Sequence, residues 1–202
     1  MSVPSSSNRL HLPTLLAILI AGVMQVGCSS QPEEQFVDVT GTIHAPLHGS
    51  EGDLVVIVFS STDCPIANAM APELERAHQE ALGQGGRFYL VHARRDLQDA
   101  LAKTHASEYS LGMPVLIDRE HALVKHFDAR VTPEAFVLQF TGPDEYEISY
   151  TGSINNLYGS VGNRRTKATE HYLVEAITSI STGDDIEVKE RQPFGCFIVR
   201  DQ

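Results

Sequence analysis

The strongest constraint on the fold is the run Leu54-Val-Val-Ile-Val-Phe59. Four polar residues follow it, then Cys64-Pro65 and an amphipathic segment. A short, continuous run of branched apolar residues is a strand buried on both faces, as in the middle of a parallel sheet. Pro65 suits the first position of a helix, where the N–H has no intrahelical partner in any case. Ile66, Met70, Leu74, Ala77 and Ala81 recur at helical spacing, so residues 65–82 are expected to form one helix. Gly83, Gly85 and Gly86 end it.

The same pattern continues along the chain. Phe36–Ile43 alternates weakly, as a short strand or hairpin arm does. Residues 87–93 and 115–118 read as strands, with helices at 96–107 and 122–127. Residues 134–139 and 146–150 read as two strands joined through the turn residues Thr141-Gly-Pro-Asp144. A last helix is expected at 167–180, and a tail from 184 ends in Pro193-Phe-Gly-Cys-Phe-Ile-Val199. This order predicts one three-layer α/β domain with a central mixed sheet.

Charge narrows the partners. Asp and Glu number 26 against 15 Lys and Arg, a formal net charge of −11. Nucleic acid is therefore not an expected partner, because phosphate binding needs clustered cations. Three cysteines are too few for a disulfide scaffold and have no zinc spacing. Each must be read singly.

Cys28 directly follows an expected leader. Arg9 precedes an apolar run from Leu10 to Val26, which ends in Gln25-Val-Gly-Cys28. The order of basic, apolar and small residues is that of a secretory signal. A small residue before a cysteine here resembles the bacterial lipobox, although Gln25 stands where Leu is usual. The expected organisation is a lipoprotein-type signal at 1–27, lipidation of Cys28, a polar tether at 28–35, a domain at 36–182 and a C-terminal extension at 183–202. An ordinary cleaved signal or an uncleaved anchor are the other readings. The lipid would hold the protein on the bacterial cell envelope, facing the periplasm or exterior, where disulfides persist.

Cys64 carries the chemistry. It follows a buried strand and opens a helix, whose unpaired N–H groups favour a thiolate. The thiolate is the nucleophilic form. Asp63 opposes this, since a neighbouring anion disfavours a second charge. The bland reading is a buried cysteine acting as a small apolar residue.

With Cys64 opening a helix, Pro72 eight residues later and the loop Arg130-Val-Thr-Pro133 before a strand, residues 36–180 resemble the thioredoxin superfamily. In that superfamily a cysteine opens the first helix, a helix-kinking proline lies eight residues later, and a cis-proline loop faces the cysteine. Cys64, Pro72 and Arg130-Val-Thr-Pro133 stand at those places. Ala67 replaces the second cysteine of the usual Cys-x-x-Cys, so no local disulfide can form. The peroxiredoxin signature is incomplete, with Ser61 at its Thr position but Ile57 at its Pro position. A narrower likeness is to bacterial, often exported redoxin-domain proteins of the AhpC/TSA type. The phrases that carry it are Thr62-Asp-Cys-Pro65, Thr132-Pro-Glu-Ala-Phe-Val-Leu138, Tyr150-Thr-Gly-Ser-Ile-Asn-Asn-Leu-Tyr-Gly159 and Gly195-Cys-Phe-Ile198. Ser153, Asn155 and Asn156 replace the charged residues of the third phrase.

The resemblance implies a thiol oxidoreductase acting on protein disulfides, peroxides or small thiols, with an external thiol as electron donor. No cofactor or metal is expected. Exchange needs a second sulfur to release an oxidised Cys64, and Cys196 is the candidate. Packing of the tail far from Cys64 is the alternative, since spacing alone cannot fix connectivity. Thr132 and Pro133 would form a wall for the substrate. Arg130 is a candidate for binding an anion or a surface arginine, and Thr62 a donor to the sulfur or a helix cap. Asn68 reads as surface. A non-catalytic binding module is the second reading. A copper chaperone is a minor third, disfavoured because Asn68 stands where such proteins carry a second cysteine.

Overall fold

Every residue of β3 (Leu54–Ser60) is buried, because this strand has a neighbour on both edges and packing on both faces. The structure is a computed structural model and describes residues 1–2, 34–160 and 162–200. The backbone separates into Met1–Gln31 and Pro32–Gln202, and the fold described here is that of the second unit. All of the expected signal but residues 1–2, the expected lipidation site Cys28 and most of the expected tether lie outside the described residues. Among the described residues no helix is long and apolar enough to cross a membrane.

A small hairpin, β1 (Phe36–Val37) and β2 (Ile43–His44), precedes β3. After β3 come α1 (Pro65–Ala69), α2 (Ala71–Gly83), β4 (Arg87–His92), α3 (Asp99–Glu108), β5 (Val115–Ile117) and α4 (Ala122–Phe127). The second half holds β6 (Val131–Thr132), β7 (Glu134–Gly142), β8 (Glu145–Gly152), β9 (Tyr158–Ser160), β10 (Asn163–Arg164) and α5 (Tyr172–Thr182). Two short strands close the chain, β11 (Glu190–Arg191) and β12 (Cys196–Phe197). The main sheet has six strands in the order β11-β8-β7-β3-β4-β5. β3, β4 and β5 run parallel, while β7 is antiparallel to both β3 and β8.

Side chains of β3 alternate between two apolar layers, as the pleat requires. Val56 and Val58 meet Leu74, Ala77, Leu173 and Ile177 from α2 and α5. Val55, Ile57 and Phe59 meet Leu123, Val124 and Phe127 of α4 and Phe136 of β7. Helices therefore cover both faces of a mixed sheet, the expected three-layer α/β architecture.

Three helices differ from the sequence reading, each for a local reason. The helix expected over 65–82 is broken at Met70. Pro72 has no N–H to donate to the carbonyl of Asn68, and its ring crowds that carbonyl. A new helix starts there, with Glu73 and Leu74 N–H both donating to the Met70 carbonyl at 2.9 Å. The helix expected from 96 starts at Asp99, because Arg119 takes the carbonyls of Arg95 and Leu97 out of a helical ladder. The helix expected from 167 starts at Tyr172. The Asn156 side-chain oxygen accepts from the Thr169 and Glu170 N–H groups and holds that stretch extended.

Candidate active site

Cys64 is the N-cap of α1. Its backbone is extended, at φ −88° and ψ 109°, and its sulfur accepts from the Ala67 N–H at 3.5 Å. Ala67 stands where the second cysteine of a local pair would be, so its contribution is that N–H. The Cys64 side chain is 1% exposed. Pro65 at the first helical position removes one donor that would otherwise need a partner.

Facing Cys64 is the loop before β7. The Thr132–Pro133 peptide is cis, and the Thr132 carbonyl oxygen lies 3.1 Å from the Cys64 sulfur. Glu134, 7% exposed, anchors this loop by accepting from the N–H groups of Arg130 and Val131.

The tail reaches the same place from the other end of the chain. β12 pairs antiparallel with β6, placing Cys196 opposite Thr132 and Phe197 opposite Val131. Cys64 and Cys196 form a disulfide that spans 132 residues, with Cα atoms 6.0 Å apart. That separation lies inside the range a disulfide bridges without moving the backbone. Cys196 is half-buried and lines a cavity of about 380 Å³ with Ser61, Thr62, Arg94 and Thr132.

Thr62 and Asn68 are placed differently from the sequence reading, whereas Arg130 lies at the surface, one of its two expected places. The Thr62 hydroxyl donates to the Asp63 carboxylate at 3.1 Å, not to the sulfur, and the helix cap is Cys64 itself. The Arg130 guanidinium turns to Asp128 at 2.7 Å. Arg130 serves the site through its carbonyl, which accepts from the Ile198 N–H at 2.9 Å. Asn68 is half-buried, with its amide donating to the Thr62 carbonyl at 3.0 Å and its oxygen 2.9 Å from Nε2 of His105. The Asp63 carboxylate, expected to oppose a Cys64 thiolate, is paired with Arg94.

Sequence reasoning missed the buried His92, 1% exposed, whose ring meets that of His105 edge to face. Burial first of all, and then the neighbouring His105, push His92 down to about 4. Burial also lowers His105. Both are therefore neutral near pH 7. Among the described residues no group of three His, Cys, Asp or Glu side chains is placed to hold a metal ion.

A sequence-family model, AhpC/TSA, matches residues 32–156, well over half of the chain. The chain belongs to the AhpC/TSA family. The match includes Cys64 and the cis-proline loop and stops before the tail that carries Cys196. Solved structures agree on the fold of this AhpC/TSA chain. A hypothetical protein of Sinorhizobium meliloti is similar at 20% identity, with 81% of this chain and 88% of that one covered and a TM-score of 0.68. An uncharacterised conserved protein of Geobacillus kaustophilus gives 18%, 83%, 88% and 0.67 in the same terms. A thioredoxin-like protein of Aeropyrum pernix gives 13%, 74%, 88% and 0.50. Among curated proteins none matches. Family and thioredoxin-like fold together support a thiol-based redox function.

Proposed function

We propose that this protein is a thiol oxidoreductase that cycles between a Cys64/Cys196 dithiol and the Cys64–Cys196 disulfide. The observation that carries this reading is the disulfide itself. It joins the helix-capping cysteine to a tail cysteine directly across the cis-proline loop. In the dithiol state Cys64 is the nucleophile, because the Ala67 N–H and the N-terminus of α1 stabilise its thiolate. It attacks a disulfide sulfur or a peroxide oxygen, and Cys196 then displaces the product and closes the bridge. An external thiol returns the pair to the dithiol. Thr132 and Pro133 form the wall beside the reacting sulfur.

We place the cycle at the bacterial cell envelope, with Cys28 as the lipidated N-terminus. The order of residues in 1–28 supports this placement. Lipid attachment is checked by mass spectrometry of the mature protein and of a Cys28→Ser variant.

The test of the redox cycle is the reduction potential of the disulfide together with the activity of Cys64→Ser. A potential above roughly −300 mV, with loss of reductase or peroxidase turnover in the variant, is the expected result. The rival is a binding module in which the bridge only straps the tail down. The near-complete burial of Cys64 favours it. A potential below that value, with turnover unchanged in Cys64→Ser, would establish the strap.

A further inference from the structure

The tail is bound to the site as a ligand would be. Gly195-Cys196-Phe197 runs antiparallel to β6, and the Ile198 N–H extends the ladder to the Arg130 carbonyl. Each tail position meets a different demand. A Cβ on Gly195 would lie 2.0 Å from the Thr132 carbonyl oxygen and 2.5 Å from its carbon, so only glycine fits before the cysteine. Cys196 meets Cys64. Phe197 points outward and is 85% exposed, so that position is unrestricted. Ile198 packs on the apolar layer of Phe59, Phe127 and Phe136. Phe197 also lines two cavities, of about 380 and 910 Å³, which leave room on both sides of the strand.

We propose that the β6 edge is sequence-selective, and that the substrates of Cys64 are extended polypeptide segments of the form Gly-Cys-x-aliphatic held in a disulfide. This rests on the redox cycle above and names its substrate class. The tail is the internal copy of such a segment. In the dithiol state the short β12–β6 pairing yields to an incoming strand of the same pattern. The Cys64 thiolate attacks the substrate cysteine, the substrate's S–S bond breaks, and the partner sulfur leaves with the electron pair and takes up a proton. Cys196 then attacks the Cys64 sulfur and releases the substrate cysteine as a thiolate. The substrate gains two electrons and the Cys64/Cys196 pair loses two.

The test uses the full-length Gly195→Ala/Cys196→Ser protein, whose own tail no longer fits the edge. The probes are synthetic peptides of residues 193–199, each activated as a mixed disulfide with thionitrobenzoate. Release of the coloured thiolate reports attack by Cys64. The parent peptide is expected to react at least tenfold faster than its Gly→Ala version and several-fold faster than its Ile→Ser version. Its Phe→Ser version should match the parent. Equal rates for the Gly and Ala peptides, with Cys64 still reactive toward a small aromatic disulfide, would overturn the substrate class alone. Failure of Cys64 to react with any probe faster than the unfolded chain would overturn the redox cycle. A second measurement needs only the single variant Gly195→Ala. Its disulfide should be about tenfold easier to reduce at equilibrium with dithiothreitol, and no change would refute the steric premise.

Discussion

Asn68 accepts a hydrogen bond from Nε2 of His105 at 2.9 Å, and this contact ties the redox helix to α3. The amide nitrogen of Asn68 is committed to the Thr62 carbonyl at 3.0 Å. The oxygen must therefore be the acceptor, and His105 carries its proton on Nε2. Asn68 thus spans the loop before Cys64 and the first turn after it. Asn68→Ala leaves a buried imidazole N–H and a carbonyl without partners. The expected loss is about 1–3 kcal/mol, the usual penalty for stranded polar groups, measured by urea unfolding of the oxidised protein. An unchanged midpoint would mean that water replaces both contacts.

His92 sets the acid limit of the fold. It is held neutral by burial, at about 4, whereas the unfolded chain takes up its proton near 6.5. Between those values the unfolded state binds more protons than the folded one. The stability it contributes is therefore complete above pH 6.5 and is lost as pH falls to about 4, an effect on the order of 3 kcal/mol. His105, lowered by burial, acts in the same direction. Asp38 acts further down. Burial raises its carboxyl, but hydrogen bonds from Thr40, His44 and Thr42 outweigh this and leave it at about 2. It therefore weakens the fold only as pH drops from 3.8 toward that value. Unfolding midpoints of the wild type should fall steeply between pH 6.5 and 4.5. In His92→Leu the fall should be shallower, and an identical fall in both proteins would remove His92 as its source.

Charge beside the nucleophile is compensated rather than absent. Asp63 lies next to Cys64, and Arg94 pairs with it. Arg94→Ala leaves the carboxylate without its cation and should raise the pKa of the Cys64 thiol. Asp63→Asn should lower it. Both groups are exposed, so each shift should be small. The pH profile of iodoacetamide alkylation, run in a Cys196→Ser background, measures it. The shifts should shrink at high salt.

What could be read from the sequence was local. Leu54–Phe59 announced a central strand because its burial is written into six consecutive side chains. The Cys64, Pro72 and Pro133 constellation could be placed because its members keep fixed spacings within the resembling superfamily. The pairing of Cys64 with Cys196 could not, since it depends on where a strand of the tail lands 132 residues later. The signal was Gly195, a glycine required by close backbone approach, but its partner Thr132 is invisible in one dimension. Asn68 read as surface because its partner His105 is contributed by another helix. Ser153 and Asn156 looked like lost charge. In the structure the Ser153 hydroxyl donates to the Gln192 carbonyl and Asn156 holds the lead into α5, so both are structural.

Gly152 holds the other end of the tail. Its φ is +120°, and an added Cβ would lie 1.7 Å from the Arg191 carbonyl oxygen. A side chain there is strained by the backbone and barred by β11 together. The surrounding ladder, Thr151 N–H to the Lys189 carbonyl at 2.9 Å and Ser153 N–H to the Arg191 carbonyl at 3.2 Å, depends on that approach. Gly152→Ala should strip β11 from β8, with a strain of about 1–3 kcal/mol from the backbone alone. The β12–β6 pairing and the disulfide lie beyond this point, so Cys196 should stay bridged. A lysine-specific protease should then cut after Lys189 in the variant and spare the wild type. On a non-reducing gel the fragment from Glu190 onward should remain attached through Cys64–Cys196, and a reducing agent should release it. Equal cleavage of both proteins would show that the tail is held by the disulfide and β6 alone.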